Sequence, residues 1–288
     1  MGKLVEIIGV SHSPYLPALF ARYPDIDEGT RQAYENFRLM REKLTAARPD
    51  VLIAVGSDHL NQFFMDNMPA FMVAKAPVVS GPYPGELDDF THMPSYQAEV
   101  DVELARTLIH GGFEQGVDFA YSDEFTIDHS WVLPLGYIRP EQDLPIVPIS
   151  CNVIAPPIAP AQRFYDVGQA IRAVVEALPA DRRVGVVASG HLALDVGGPR
   201  MASGSADPAF DRRMIELIAG GDSSTVIREA TWGRMREIGN VTPGFLNFVL
   251  LMGLARGAPP SFAEANFSDG HGTTPFMAWD LGSDGGAP

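Results

Sequence analysis

The 288-residue chain is long enough to bury the core of one large α/β domain. Its content of 46% hydrophobic and 20% charged residues is typical of a globular protein. The formal net charge of −15 argues against nucleic acid and anionic membranes as partners, because both attract clustered basic residues. The single cysteine, Cys151, excludes a disulfide within the chain, which fits a reducing compartment. The sequence shows neither a signal peptide nor an apolar run of the ~18 residues that span a bilayer, so we expect a cytoplasmic protein.

Apolar runs and helical patterns alternate along the chain, starting with a strand predicted over 3–10 and an amphipathic helix over 27–50. Later strands are predicted over 51–57, 69–79 (one or two strands), 144–153 and 182–190, with a final edge strand over 273–282. Later helices are predicted over 95–112, 129–138, 160–178, 206–220, 222–239 and 244–255. This alternation predicts an α/β fold in one domain, 1–288, with a mixed sheet and helices on both faces.

Four of the seven histidines stand at matching ends of predicted elements. His12 follows the first strand, His59 follows the second, and His191 follows the strand over 182–190, while His129 starts a helix. Ligands of open α/β sheets gather outside the carboxyl ends of the strands, so we expect these side chains to share one site. Imidazole binds Fe, Zn, Cu and Ni and is the usual acid or base near neutral pH. Each histidine alone could be structural, and the parallel placement of four favours a site.

The remaining histidines are weaker candidates. His110 lies on a predicted helix and is interpreted as structural, whereas His92 and His271 lie in loops rich in glycine, serine and threonine. The segment 75–95 is long and rich in proline and glycine, which is typical of a lid or a surface excursion. Phosphate-binding glycine loops, the serine nucleophile elbow and the H-E-x-x-H zinc motif are missing from the sequence. Cys151 ends an apolar strand and is interpreted as an inert core thiol.

The histidine-bearing segments resemble, in order and as a set, those of the class III (LigB-type) extradiol ring-cleavage dioxygenases. The segments are "GVSHSPYLP", "VGSDHLNQFFMDNMPAF", "TIDHSWVLPLGYI", "SGHLALDVGGPR" and "REIGNVTPGFLNFVLLMG". The likeness runs from about residue 6 to about residue 256. It implies the fold of that family and an enzyme that uses non-haem Fe(II) and O2 to open a catechol-type aromatic ring. It also implies a homo-oligomer, or a hetero-oligomer with a homologue.

The resemblance implies roles for particular residues. His12 and His59 match the two histidine ligands of the metal. His191 matches the acid/base histidine, and His129 matches the histidine that faces the substrate. Two polar residues close to His59 are candidates for substrate binding, namely Asp58 and Asn61.

One position departs from the pattern of the family. Gly244 stands where the resemblance places the glutamate ligand, and glycine has no ligand atom. The third ligand could be Glu237 upstream, it could be water, or the metal could be lost. Because Gly244 follows Pro243 at a predicted helix start, where acids are tolerated, we expect a glutamate to fit there and Gly244→Glu to raise iron occupancy.

Three hypotheses follow for the function. The first is a ring-opening dioxygenase that acts on a small aromatic substrate with O2. The second is a superfamily member with altered chemistry, in which the histidines perform acid/base catalysis with weak or no metal. The third is a non-catalytic partner subunit. Metal analysis separates the first from the other two, and co-purification with a larger homologue would favour the third.

Overall fold

The computed structural model of the protein describes residues 1–86, 92–198, 200, 205–268 and 272–282. Within these ranges the strands are β1 (Lys3–Ser11), β2 (Val51–Gly56), β3 (Phe71–Ala74), β4 (Val78–Gly81), β5 (Tyr96–Glu99), β6 (Ala120–Ser122), β7 (Ile146–Cys151), β8 (Arg183–Gly190), β9 (Phe262–Ser268) and β10 (Gly272–Asp280). The helices are α1 (Leu16–Phe20), α2 (Glu28–Ala47), α3 (Val102–Glu114), α4 (His129–Ile138), α5 (Ala161–Ala177), α6 (Pro208–Ala219), α7 (Ser223–Glu229), α8 (Trp232–Ile238) and α9 (Leu246–Leu254).

Eight of the described strands form one mixed sheet in the order β6-β3-β7-β2-β8-β1-β10-β9. Its centre is parallel, since β2 pairs with β7 and β8, and β8 pairs with β1 in the same direction. Strands β9 and β10 add an antiparallel edge, and β4 and β5 form a separate two-stranded sheet. Strands β2, β8 and β1 are therefore neighbours whose carboxyl ends meet at one edge of the sheet.

Helices cover both faces of the sheet, which explains why the central strands are continuous apolar runs. Helices α3, α5 and α9 pack on one face, and α2 and α4 pack on the other. All six residues of β2 are buried. Every residue of α9 is buried as well, and a 3-10 turn over Thr242–Phe245 leads into that helix. The predicted α/β class with helices on both faces is confirmed.

Several predicted boundaries were wrong for physical reasons. The segment 273–282 is not the edge strand, because β9 pairs outside β10 and covers it. The first part of the segment 95–112, which was predicted to be helical, forms strand β5. Helix α3 starts only after Asp101, whose side chain accepts a hydrogen bond from the Leu104 N–H. The helix predicted over 222–239 is split, because Thr231 caps a second helix start. Among the described residues, no helix is both long and apolar enough to cross a bilayer.

Candidate active site

Three neighbouring parallel strands bring three of the predicted histidines to one edge of the sheet. His12, His59 and His191 follow β1, β2 and β8, and His129 joins them as the first residue of α4. The ring centroids of His12 and His191 are 4.1 Å apart, as are those of His59 and His129. The His12 ring lies 5.2 Å from that of His59 and 5.4 Å from that of His129. The structure thus brings all four predicted side chains into one cluster.

A serine hydroxyl fixes the tautomer of His12. The His12 Nδ1 atom lies 2.9 Å from the Ser189 Oγ atom. Since that hydroxyl donates its one proton to the Ser130 carbonyl oxygen at 2.6 Å, it must accept from His12. The proton of the neutral ring is therefore on Nδ1, and Nε2 keeps its lone pair. The Nε2 atom is buried and has no hydrogen-bond partner, which is the state expected of a metal ligand.

Carboxylates hold the rings of His59 and His129 by their Nδ1 atoms, as Ser189 holds the ring of His12. The His59 Nδ1 atom lies 2.9 Å from Asp128 Oδ2, and the His129 Nδ1 atom lies 2.6 Å from Glu86 Oε1. An ionised carboxylate only accepts hydrogen bonds, so each Nδ1 donates and each Nε2 is left toward the cluster. Asp128 also caps α4, since its other oxygen accepts from the Ser130 N–H. Carboxylate–histidine pairs of this kind orient imidazoles that bind metals.

Burial and neighbouring charge set the protonation of the cluster. Burial, followed by the charges of the other three histidines, holds the pKa of His12 well below its usual range. Burial and the charges of His59 and His129 lower the pKa of His191 to about 3. Burial opposes the charge on His129 too, but the hydrogen bond to Glu86 and the nearby carboxylates raise its pKa. His12 and His191 are accordingly neutral near pH 7, a state in which an imidazole can bind a metal or accept a proton.

The donor set fits a divalent transition metal. One ligand atom from each of His12, His59 and His129 lies within 4.8 Å of the others. Imidazoles with anchored Nδ1 atoms suit Fe(II) and Zn(II). Glu86, Asp128 and His129 form a second group within the same distance. Its carboxylate oxygens already accept from the histidines, so this second group supports the rings rather than offering a separate metal site.

The two residues predicted to bind substrate have other contacts in the structure. Asp58 is buried, and its carboxylate accepts the backbone N–H groups of Asn61, Gln62 and Phe63. Burial raises the pKa of Asp58, although these hydrogen bonds act to lower it. The Asn61 amide donates to Glu86 at 3.0 Å and lies 3.4 Å from Asp128. Both residues hold the loop after β2, and their contact with substrate stays a prediction.

The structure also locates Glu237 and Gly244. Glu237 is exposed on α8 and belongs to neither metal-capable group in the described part of the chain. Gly244 packs against His191, and a Cβ atom built there would lie 3.3 Å from His191 Cδ2 and 3.4 Å from its backbone nitrogen. A glutamate at this position would therefore need His191 to shift. The space is tighter than the sequence predicted, because the neighbour of Gly244 is a catalytic candidate from another strand.

Sequence reasoning missed the residues that orient the histidines. Glu86 lies in a 3-10 turn of the 75–95 segment, and the proline- and glycine-rich composition of that segment was the only signal for it. Asn247 on α9 donates to Ser57 Oγ and to the Ser189 carbonyl oxygen, which joins the ends of β2 and β8. His92 and His110 are exposed, and His271 lies outside the described residues.

Comparison with protein families gives one match over nearly the whole chain. The family described as the catalytic LigB subunit of aromatic ring-opening dioxygenase matches residues 6–274. Among curated proteins, the 2,3-dihydroxyphenylpropionate/2,3-dihydroxicinnamic acid 1,2-dioxygenase of Photorhabdus laumondii is 28% identical over 82% of this chain and 68% of its own length. The proteins of the same name from Rhodococcus globerulus and Mycolicibacterium smegmatis are 30% and 32% identical, over 73% and 58% of this chain. These two matches span 62% and 50% of the relatives' own lengths.

A solved structure supports the fold. An uncharacterized protein from Escherichia coli K12 matches 96% of this chain and 99% of its own, with a TM-score of 0.58 and 14% identity. At that identity the likeness concerns the fold alone.

Proposed function

The chain belongs to the family of the catalytic LigB subunit of aromatic ring-opening dioxygenase, and on this premise we propose that it is itself an extradiol ring-cleavage enzyme. It acts with non-haem Fe(II) and O2 on a catechol-type aromatic. The observation that carries the proposal is the cluster of four histidines at the carboxyl ends of β1, β2 and β8, in which the buried Nε2 atom of His12 has no partner.

His12 and His59 are the proposed protein ligands of the metal. Each has its Nδ1 atom fixed by an oxygen acceptor, which leaves its Nε2 atom as the one that can bind an ion. When bound, Fe(II) supplies the centre that coordinates the diol and activates O2.

His191 is the proposed acid/base. Its ring lies 4.1 Å from that of His12, so it is next to the place where a bound diol would lie. Among the described residues none hydrogen-bonds this ring, in contrast to the other three. A neutral imidazole can accept the proton of a catechol hydroxyl and later return it to the product. The small residues Ala188, Ser189 and Gly190 precede it and let a substrate approach closely.

The test is a diol panel. The purified protein is reconstituted with Fe(II) without oxygen and then given O2 with simple catechols and 2,3-dihydroxyphenylpropionate, the diol named for its relatives. We expect O2 uptake together with a coloured ring-opened product from at least one diol. Stoichiometric iron without O2 uptake on any diol would contradict the proposal and favour altered chemistry at the same histidines. Absence of both iron and activity would favour the partner-subunit hypothesis.

A further inference from the structure

The resemblance places Gly244 where the family has its glutamate ligand, which leaves His12 and His59 as the two proposed protein ligands. We propose that His129 is a third protein ligand and that Glu86 is the residue that positions it. The inner shell is then three imidazoles, from His12, His59 and His129, and the carboxylates lie one hydrogen bond further out. This inference rests on the proposed function for the presence of a metal.

The geometry of the cluster selects His129. Its ligand atom lies within 4.8 Å of those of His12 and His59, and nitrogens bound to one ion at about 2.1 Å lie roughly 3–4 Å from one another. A small inward movement of the rings closes that gap. His191 is not part of this group. The exposed Glu237 is not part of it either.

Both carboxylate oxygens of Glu86 form hydrogen bonds with His129. Oε1 lies 2.6 Å from the ring Nδ1 atom, and Oε2 accepts the His129 backbone N–H at 2.9 Å. Glu86 is itself held, since the Asn61 amide donates to Oε1 at 3.0 Å. The side chains of Glu86 and His129 are only 15% and 13% exposed, so water screens this pair little. Holding ring and backbone together fixes both the orientation and the tautomer, which directs Nε2 to the cluster.

The arrangement also accounts for Gly244. An inner-shell carboxylate brings negative charge to a dication, and this site must supply that charge in another way. Asp128 and Glu86 do so through hydrogen bonds to His59 and His129, which make the imidazoles stronger donors. The volume at Gly244 is taken up by contact with His191, at 3.3 Å from a built Cβ. The carboxylates of this site therefore lie behind the imidazoles, and Gly244 leaves room for the proposed acid/base His191.

The experiment counts the ligating histidines with Co2+ as the probe. In the Co2+-loaded protein, each histidine bound through Nε2 carries an exchangeable Nδ1 proton whose NMR signal is strongly shifted by the metal. We expect three such signals from the wild type, for the three histidines of the group. His129→Ala should lose one of them. Glu86→Gln should weaken Co2+ and Zn2+ affinity by about 10–100-fold, because it removes the outer carboxylate.

Two controls separate positioning from general damage. Glu99→Gln changes an exposed carboxylate of β5 and should leave the signals and the affinity as they are. Glu237→Gln is the competing arm, and loss of affinity there would make Glu237 the third ligand and overturn the inference. The wild-type count needs no variant, so the test stands even if a substitution prevents folding.

The outcomes separate this inference from the proposed function. Two signals in the wild type, or an unchanged set in His129→Ala, would overturn the role of His129 even if catechols are cleaved. Three signals without O2 uptake on any diol would support the ligand set while the dioxygenase proposal fails. A protein that takes up neither Co2+ nor Zn2+ would contradict both.

Discussion

Two buried ionisable residues, Glu6 in strand β1 and His12 just after it, have different surroundings. Near its beginning, Glu6 is 2% exposed and lies directly across from Asp280 of β10. Burial and the charge of Asp280 raise the pKa of Glu6 to about 9, and Lys43 balances Asp280 at 3.1 Å. Just beyond its end, His12 is equally buried but leaves a lone pair toward three other imidazoles.

The surroundings of Glu6 and His12 differ in how many groups converge on one point. Around Glu6, the protonated carboxyl donates to Asp280 and Lys43 supplies the counter-charge, while the buried Glu6 Oε1 atom has no hydrogen-bond partner. In the cluster around His12, the rings of His12, His59 and His129 each have Nδ1 held by an oxygen atom, and their ligand atoms lie within 4.8 Å of one another. Burial and a perturbed pKa are common to both places, so neither property alone identifies a functional site. An unpartnered buried atom is common to both places as well, and what sets the cluster apart is that ligand atoms of three histidines lie within 4.8 Å of one another.

Removal of a converging donor should have the largest effect. We expect His12→Ala and His59→Ala each to abolish stoichiometric uptake of Fe(II) and Zn2+, because each removes a neutral ligand from a small donor set. The measurement is metal per chain after dialysis. Glu6→Gln is the matched control at the other end of β1 and should keep full metal content. A full equivalent of metal per chain in either histidine variant would show that the mutated histidine is not a ligand.

Removal of the unheld histidine should affect turnover and leave the metal in place. His191→Ala is expected to lower kcat by about 10²–10⁴-fold, the usual contribution of general acid–base catalysis. Metal content should match the wild type, since His191 is outside the metal-capable group. His110→Ala, an exposed histidine of α3, serves as the control and should change neither quantity. Loss of metal in His191→Ala would assign that ring to the inner shell.

A glutamate at the family's ligand position should harm rather than help. The sequence alone favoured a gain of iron in Gly244→Glu, but a Cβ there meets His191 Cδ2 at 3.3 Å. Displacing the acid/base by a few tenths of an ångström should lower turnover by about 10-fold, with iron per chain unchanged. Steady-state O2 uptake and metal analysis measure both. A variant with more iron and faster turnover would restore the interpretation of Gly244 as a simple missing ligand.

The smallest effect concerns stability at the other end of β1. Folded Glu6 keeps its proton up to about pH 9, whereas its ordinary pKa is 4.5. Its contribution to the free energy of unfolding is therefore complete below pH 4.5 and is lost as the pH rises toward 9. Between pH 5 and pH 8, Glu6→Gln should gain about 1–3 kcal/mol relative to the wild type. Urea unfolding at both pH values measures it, and parallel pH profiles would show that Glu6 is ionised in the folded protein.

The sequence predicted the parts of the fold whose residues are periodic and buried. Strands β1, β2 and β8 are predictable because helices cover both faces of the sheet, so each of these strands is a nearly continuous apolar run in the sequence. Strand β9 was missed because its residues, "FAEANFS", include Glu264 and Asn266, which look polar in isolation. Only the tertiary contact shows that the Asn36 amide donates to both of their side chains.

The sequence predicted one part of the candidate site, the histidines, and missed the other part, the groups that orient them. The histidines were predicted because each follows a recognisable element, and their convergence follows from adjacent parallel strands. The orienting groups were not predictable, because Glu86 and Ser189 approach the histidines through contacts between segments far apart in the chain. The extension of one catalytic domain over the whole chain and the oligomeric state stay predictions.

The most direct test of the central claim uses isotopically labelled oxygen. The Fe(II)-loaded protein is supplied with 18O2 and 2,3-dihydroxyphenylpropionate or the best diol of the panel, and the product is analysed by mass spectrometry. We expect a ring-opened product that contains both atoms of one O2, formed by the wild type and lost in His12→Ala. A product without label, or labelled product that His12→Ala still forms at the wild-type rate, would contradict the assignment of the histidine cluster as the site of ring cleavage.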